Sequence, residues 1–353
     1  MSVNCEEKKK IILDKSLIEI FKVHRHINGA YVIEFLDLMK VIGVDYFQVN
    51  SSTLDKMMIY PEFSGYCVYN IENTEDLRYL YIYDFKYLSI DFEKFSTIPL
   101  MECKNKIDKS KIIMNIALKD LKASNIETIK YILSCYDIEF LMVTNLSKCN
   151  NSSWEDFIIK LKKTFNLKIG FCAENSLCMG TAVSIELCLD GADMIAGAFN
   201  GSEYGFAPIE EVLTALKVIG DCNINGDLSL LYKLTELYKK LTYKVIPGDK
   251  AVIGQDIFKY ESGIHADGIE KNPLTYEPYS PSEVGQKREL LIGKHSGGKA
   301  VCKKLKELNI DYGTVDVNLL LSKIRNKSIY LKRNIRDEEL FALCEELRGV
   351  VIG

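Results

Sequence analysis

The chain has 353 residues, of which 47% are hydrophobic and 27% charged, with a formal net charge of -4 at pH 7. This composition is typical of a globular protein with room for one large and one small domain, and its acidic balance disfavours nucleic acid or an anionic membrane as the partner. No apolar run reaches the length of a membrane span, and the charged start lacks the apolar centre of a signal peptide, so we expect a cytoplasmic protein.

Short apolar strands alternate with amphipathic helices through the first two-thirds of the chain. The predicted strands are Ile11–Leu13, Val44–Val49, Ile112–Ala117, Ile138–Val143, Leu167–Cys172 and Asp193–Ala198. The predicted helices are Asn28–Gly43, Ile126–Ser134, Trp154–Thr164, Leu177–Leu189 and Pro208–Ile219. Residues 50–110 are irregular and rich in Tyr and Phe, with strands expected near 66–70 and 87–92. This alternation predicts an α/β fold, and eight strands fit a (β/α)8 TIM-type barrel with trimmed connections, because such barrels typically need about 250 residues.

The alternation stops after residue 220, which indicates a change of domain. A helix is predicted at Leu228–Leu241, and a polar, glycine-rich block follows at 252–301. Three further helices are predicted at Ala300–Leu308, Val315–Lys327 and Asp337–Leu347. We therefore expect a barrel domain over 1–225, and a separate segment with a small helical domain over 226–353.

Eleven cysteines are scattered through the chain without a C-x-x-C pair, which favours free thiols over a disulfide framework. Cys172, Cys178 and Cys188 have no histidine nearby and do not have the spacing of zinc ligands, so packing explains them better than a metal site does.

The block 252–301 holds two of the four histidines, His265 and His295, each in a polar turn near glycines. A histidine in such a turn has little core to fill, and it more often faces a ligand. The block contains GIHADGI, TYEP and GKHSG, and with these motifs it resembles the lid region of the homocitrate synthase and isopropylmalate synthase family. In that family the lid follows a catalytic (β/α)8 barrel, which agrees with the fold expected here.

The resemblance implies a chemistry and a set of site residues. Enzymes of this family hold a 2-oxo acid on a divalent metal and condense it with acetyl-CoA. His265 and Tyr276 correspond to a catalytic histidine and tyrosine that reach into the active site of the neighbouring chain. The substrate-binding residues expected from the same block are Ser262, Asp267, His295 and Ser296. The segment ESGIHADGIEKNPLTYEP resembles homocitrate synthases more than isopropylmalate synthases, which favours homocitrate as the product and 2-oxoglutarate as the 2-oxo acid substrate.

The barrel lacks the residues that the resemblance requires for the metal. Where the family has DTTLRDGEQ this chain has DKSLIEIFK, with Ile18 in place of the arginine and Glu19 in place of the metal-binding aspartate. Where the family has HxHND the chain has FCAEN, with Phe171 and Ala173 in place of the two histidines. The NGxGERAGN turn is shortened, and Lys119 replaces a glutamate. We expect no tightly bound metal on this chain.

A retained lid on a barrel without its metal site suggests an enzyme divided between two chains. The resemblance implies a homologous alpha subunit with an intact metal barrel, and a role in making homocitrate for the nitrogenase cofactor. Two alternatives remain open. The chain could be a non-catalytic regulatory paralogue of such a synthase, or a stand-alone synthase with a metal site rebuilt from Glu19, His24 and His26.

Two other patterns have simpler explanations. Gly293–Ala300 nearly matches a phosphate-binding loop, but Ala300 takes the place of the hydroxyl that would contact magnesium, so ATP hydrolysis is not expected. A contact between this glycine-rich turn and a CoA phosphate stays open. The basic stretch 323–336 is expected to be a solvated helix face, balanced by the acidic residues 337–339.

Overall fold

The fold was obtained as a computed structural model, which describes residues 3–5, 8–23, 27–57, 61–146, 153–220 and 222–351. The chain forms two compact units, Met1–Ile246 and Pro247–Gly353. None of the described helices is both long enough and apolar enough to cross a lipid bilayer.

The first unit is a closed parallel barrel of eight strands. Its strands, with one short strand at each end of the series, are β1 Val3–Cys5, β2 Lys8–Asp14, β3 Tyr46–Val49, β4 Cys67–Ile71, β5 Tyr87–Asp91, β6 Lys111–Ala117, β7 Ile138–Thr144, β8 Lys168–Cys172, β9 Met194–Gly197 and β10 Asn223–Ile224. Strands β2 to β9 pair in sequence order and in parallel. The barrel closes where β2 pairs with β9, with Ile11 opposite Met194 and Asp14 opposite Gly197. The predicted (β/α)8 barrel is therefore confirmed, including the two strands expected within 50–110.

Helices of unequal length connect the barrel strands or follow the last of them. They are α1 Ser16–Val23, α2 Gly29–Ile42, α3 Ser51–Met57, α4 Lys104–Ile107, α5 Ile126–Cys135, α6 Trp154–Phe165, α7 Gly180–Leu189, α8 Ile209–Val218 and α9 Leu231–Thr242. Between β4 and β5 the connection is only a 3-10 segment, Thr74–Tyr81. Such trimmed connections let the eight strands fit within residues 8–197.

The best-predicted helix, α2, shows how local sequence fixes an element. The side chain of Asn28 accepts a hydrogen bond from the backbone N–H of Ala30 at 3.0 Å, which caps the start of the helix. Gly43 ends it at φ 117°, a left-handed conformation that glycine adopts without a steric penalty. Val32, Phe35 and Met39 are buried along the face between these caps.

The barrel interior is filled by side chains from strands on all sides. Leu13, Val68, Phe140, Cys172 and Met194 belong to one buried cluster. Interior packing of this kind, with alternate residues of each strand pointing inwards, is the usual core of a TIM-type barrel.

The boundary between the units lies later than the predicted division at 225 and 226. Helix α9 packs on α2 through Tyr238 and Phe35, whose ring centroids are 6.5 Å apart, so this helix belongs to the barrel unit. The first unit therefore extends to Ile246.

One cysteine pair departs from the prediction of free thiols. Cys5, at the end of β1, forms a disulfide with Cys222, which precedes β10. Strands β1 and β10 pair antiparallel, with Val3 opposite Ile224, and this pairing brings the two cysteines together. Because 217 residues separate them, no local spacing pattern could have indicated the pair.

The second unit combines a two-stranded sheet with four helices. Its elements are β11 Lys259–Tyr260, α10 Gly263–Lys271, β12 Glu289–Leu290, α11 Gly298–Glu307, α12 Val317–Leu331 and α13 Asp337–Val351. Val301, Leu305, Leu320, Ile324 and Cys344, from the last three helices, share one buried core. The three predicted helices of the C-terminal domain are thus confirmed. In the basic stretch, Lys323 and Arg333 form ion pairs with Glu346 and Glu339.

Candidate active-site lid

The histidine motif GIHADGI forms the start of a helix, whereas the sequence suggested a turn. The side chain of Ser262 accepts a hydrogen bond from the backbone N–H of Ile264 at 3.2 Å and so caps α10. Ala266 and Ile269 are buried three residues apart on one face of this helix. His265 lies in the first turn with its side chain exposed.

The ring of Tyr276 lies against the ring of His265. Their centroids are 4.8 Å apart, at an interplanar angle of 60°. Gly268 makes this contact possible, because a Cβ at that position would lie 2.3 Å from Cε2 of Tyr276. The predicted catalytic pair is therefore brought together within one unit, and Gly268 has a steric role that the sequence did not reveal.

A short turn precedes the tyrosine, and an ion pair on a buried carboxylate follows it. The backbone N–H groups of Tyr276 and Glu277 both donate to the carbonyl oxygen of Pro273, at 3.0 and 2.9 Å. The carboxylate of Glu277 is buried, and it accepts three hydrogen bonds from the guanidinium of Arg288 at 2.7 to 3.0 Å. Neither Glu277 nor Arg288 was expected to matter, because a pair separated by eleven residues leaves no periodic pattern.

A cavity of about 390 Å³ opens beside this pair of rings. Its lining is mostly apolar and includes Val252, Phe258 and Tyr279, while His265 and Tyr276 contribute polar groups. A largely apolar recess with a few polar groups is the usual form of a small-molecule site.

The other residues predicted to bind substrate lie apart from the ring pair or are used locally. Asp267 forms an exposed ion pair with Lys271 at 2.7 Å, and this hydrogen bond lowers the pKa of Asp267. His295 is exposed in a turn, where its backbone N–H donates to Glu261 at 2.6 Å. Ser296 is fully buried, and its hydroxyl accepts from the backbone N–H of Gly293 at 3.0 Å. Ser296, like Ser262 at the helix cap, thus holds a backbone turn.

At the carboxyl end of β2, the described residues at the expected arginine and metal-ligand positions are packed or paired. Ile18 is buried in α1, and Glu19 pairs with Lys22 at 2.7 Å. Among the residues that the structure describes, no group of three His, Cys, Asp or Glu side chains is placed to hold a metal ion. His24 and His26, which the rebuilt-site alternative needs, lie outside the described residues.

The structure corrects the place assigned to Phe171. Its ring packs against Trp154 and Phe157 of α6, at centroid distances of 6.2 and 6.5 Å, so it faces the outer helical layer. Cys172 is the residue of this strand end that joins the interior cluster. Because side chains alternate along a strand, Phe171 and Cys172 lie on opposite faces of β8, which ends at Cys172. None of the residues from Phe171 to Glu174 is a histidine, so this strand end offers no imidazole ligand whichever of them faces the interior.

Glu174 is used to hold the neighbouring loop. Its carboxylate accepts hydrogen bonds from the backbone N–H groups of Asn145 and, at 2.8 Å, Leu146, which follow β7. Burial raises the pKa of the Cys172 thiol, so at neutral pH this sulfur is a protonated core atom that is poorly suited to bind a metal.

The comparisons with known proteins place the chain in a family. The family described as "Homocitrate synthase post-HMGL domain-like" matches residues 252–329. The omega subunit of homocitrate synthase from Clostridium pasteurianum is 40% identical over 349 residues, which cover 98% of each chain. The chain belongs to the homocitrate synthase family. Homocitrate synthase AksA from Methanothermobacter thermautotrophicus is 27% identical over 258 residues, 70% of this chain and 66% of that protein.

Solved structures support the barrel of this homocitrate synthase family member. An HMG-CoA lyase from Acinetobacter baumannii, in complex with coenzyme A and 3-methylmalate, has a TM-score of 0.53 at 12% identity, covering 70% of this chain and 96% of that one. The HMG-CoA lyase from Bacillus subtilis has a TM-score of 0.51 at 13% identity, covering 67% and 95%. At such low identity these structures show the fold alone.

Asp14, at the end of β2, should make stability depend on pH. It is fully buried, and burial raises its pKa from 3.8 to about 7, although hydrogen bonds from Ser16 oppose the shift. The folded chain therefore holds this proton more tightly than the unfolded chain, and the resulting stability is complete below pH 3.8 and lost as the pH rises through 7. Urea titrations between pH 4 and 8 should show this decline in the unmodified chain and a flatter profile for Asp14→Asn. Asp37→Asn, at an exposed position of α2, should keep the original profile.

Proposed function

We propose that this chain is the lid-bearing subunit of a two-subunit homocitrate synthase. It would supply His265 and Tyr276 to an active site completed by a homologous alpha subunit. The observation that carries the proposal is the contact between the exposed imidazole of His265, in the first turn of α10, and the phenol ring of Tyr276. It occurs in a chain whose described residues contain no group of three side chains placed to hold a metal ion.

The divalent metal of this chemistry polarises the keto group of the 2-oxo acid. The strand ends of this barrel do not fit such an ion, because Ile18 and Cys172 are buried apolar or protonated groups and Glu174 holds a loop. We therefore assign no step through a metal to this chain, and we place the metal and the 2-oxo acid on the alpha subunit.

The proposed reaction joins acetyl-CoA, 2-oxoglutarate and water to give homocitrate and CoA. An imidazole can transfer a proton near neutral pH, which suits His265 to a step in which the acetyl methyl group or a nucleophilic water loses a proton. The hydroxyl of Tyr276 can donate a hydrogen bond to an oxygen that gains negative charge. The resemblance to homocitrate synthases of nitrogen fixation suggests that the product is used for the nitrogenase cofactor.

The test is reconstitution with purified subunits. We expect this chain alone to release no CoA thiol from acetyl-CoA and 2-oxoglutarate, and to activate a homologous barrel subunit that lacks its own lid. Thiol release, followed with a chromogenic disulfide reagent, measures both. Stoichiometric addition should give full activation, because each active site would need one lid.

The two alternatives predict different results. A regulatory paralogue would leave the partner subunit active by itself, and adding this chain would then lower that activity or leave it unchanged. A stand-alone synthase would turn over without a partner, and the dialysed chain would carry about one equivalent of metal. Either result contradicts the proposal.

A further inference from the structure

We propose that the ion pair between the buried carboxylate of Glu277 and the partly exposed guanidinium of Arg288 is a positioning device that holds the ring of Tyr276 against His265. The proposal rests on the function proposed above only for its effect on turnover. Its structural part, the control of the ring by the ion pair, can be tested on this chain alone.

The ion pair holds the side chains of Glu277 and Arg288 in one orientation, and we call these two residues the clamp. The side chain of Glu277 is 7% exposed, and both of its oxygens accept hydrogen bonds from Arg288. Nε of Arg288 donates at 2.8 and 3.0 Å, and a terminal nitrogen donates at 2.7 Å. A planar guanidinium that binds both carboxylate oxygens fixes orientation as well as distance.

The pair connects the loop of Tyr276 to the frame that carries His265. Arg288 immediately precedes β12, which pairs in parallel with β11, with Lys259 opposite Glu289. Ser262, three residues after Lys259, caps α10. The short sheet of β11 and β12 is therefore followed directly by the helix that carries His265. Because Glu277 is bonded to Tyr276 in the chain, the ion pair anchors the tyrosine to this frame.

Other contacts of the tyrosine do not by themselves fix its ring. Its backbone is held by Pro273, but the side chain is 43% exposed. Gly268 leaves space for the ring without holding it. An ion pair with one partly exposed partner contributes little net stability, but a guanidinium that contacts both carboxylate oxygens fixes one arrangement of the two side chains. The ion pair of Glu277 and Arg288 therefore serves to position Tyr276 more than to stabilise the folded chain.

The structural test uses the proton resonances of His265, assigned with a His265→Gln variant among the four histidines of the chain. Tyr276→Leu removes the aromatic ring, and the resulting change in the chemical shifts of the His265 ring protons measures the effect of that ring. Arg288→Lys keeps the positive charge but loses the planar guanidinium that contacts both oxygens of Glu277. We expect this variant to reproduce most of the change in the His265 chemical shift that Tyr276→Leu causes. If Arg288→Lys does not fold, Glu277→Leu combined with Arg288→Met removes both charges together and tests the same point. Lys323→Met, which breaks a surface ion pair on α12, should leave the resonance unchanged.

The kinetic test uses the reconstituted enzyme. Arg288→Lys should lower kcat by roughly 10- to 100-fold, the range expected for a misplaced catalytic group, with little change in KM for the 2-oxo acid. An unchanged His265 resonance would overturn the proposal, as would unchanged turnover in a complex that Tyr276→Phe impairs. If the unmodified complex itself shows no turnover, the proposed function fails, and the resonance still decides whether the ion pair positions the ring.

Discussion

Replacing His265 with alanine should lower turnover of the reconstituted enzyme by roughly a hundredfold or more, the usual scale for a lost general acid–base group. Folding and association should persist, because the side chain is exposed and α10 keeps its buried residues Ala266 and Ile269. KM for 2-oxoglutarate should change little if the partner's barrel binds that substrate. Steady-state kinetics of CoA release, with circular dichroism to check folding, measures each expectation.

Two variants serve as controls for the histidine. Tyr276→Phe should reduce turnover more mildly, since the ring against His265 is kept and only a hydroxyl is lost. Glu19→Gln, which removes an exposed ion pair in the barrel, should leave turnover unchanged. Near-full activity of His265→Ala would contradict the proposed site. A loss with Glu19→Gln as large as that with His265→Ala would place the chemistry in the barrel instead.

Replacing Phe171 with alanine should lower the free energy of unfolding by about 3–5 kcal/mol, as expected when a large buried aromatic side chain is removed. The loss arises because Phe171 fills the space between β8 and α6, where it contacts Trp154 and Phe157. Equilibrium unfolding in urea measures the difference. Phe171→Leu, which refills most of the volume, should cost much less.

A second variant tests the orientation of the same strand end. Phe171→His combined with Ala173→His would introduce an HxH pair at the two positions where the resemblance placed the metal-binding histidines. Because Phe171 packs outwards against α6 and Ala173 is buried just beyond β8, the variant should gain no metal affinity and should be less stable. Tight binding of zinc or cobalt to this variant at the barrel mouth would show that the assignment of the strand faces is wrong.

The architecture could be predicted because its determinants are local. Each βα unit can be recognised from a short apolar run followed by apolar residues at helical spacing. Helix α2 is in addition marked at its two ends by Asn28 and Gly43. The region 50–110 was harder because its connections include 3-10 segments such as Thr74–Tyr81, which have no helical period. The unit boundary was missed because the packing of Tyr238 on Phe35 joins residues distant in sequence.

The candidate site could be predicted only in part. The motifs identified His265 and Tyr276, and the structure brings their rings together. A one-residue error in the face of β8 placed Phe171 at the barrel mouth, since a single apolar run does not show which residues point inwards. The clamp of Glu277 and Arg288 was missed because a tertiary contact between two charged residues has no pattern in the sequence.

The bond between Cys5 and Cys222 has a topological consequence. All eight barrel strands lie between these two cysteines, so the oxidised chain encloses the barrel in a covalent ring. A protease that cuts one connecting loop would open this ring without releasing a fragment, and both pieces would stay tethered through the sulfur atoms. Two separate cuts would be needed to remove any of the eight barrel strands from the molecule.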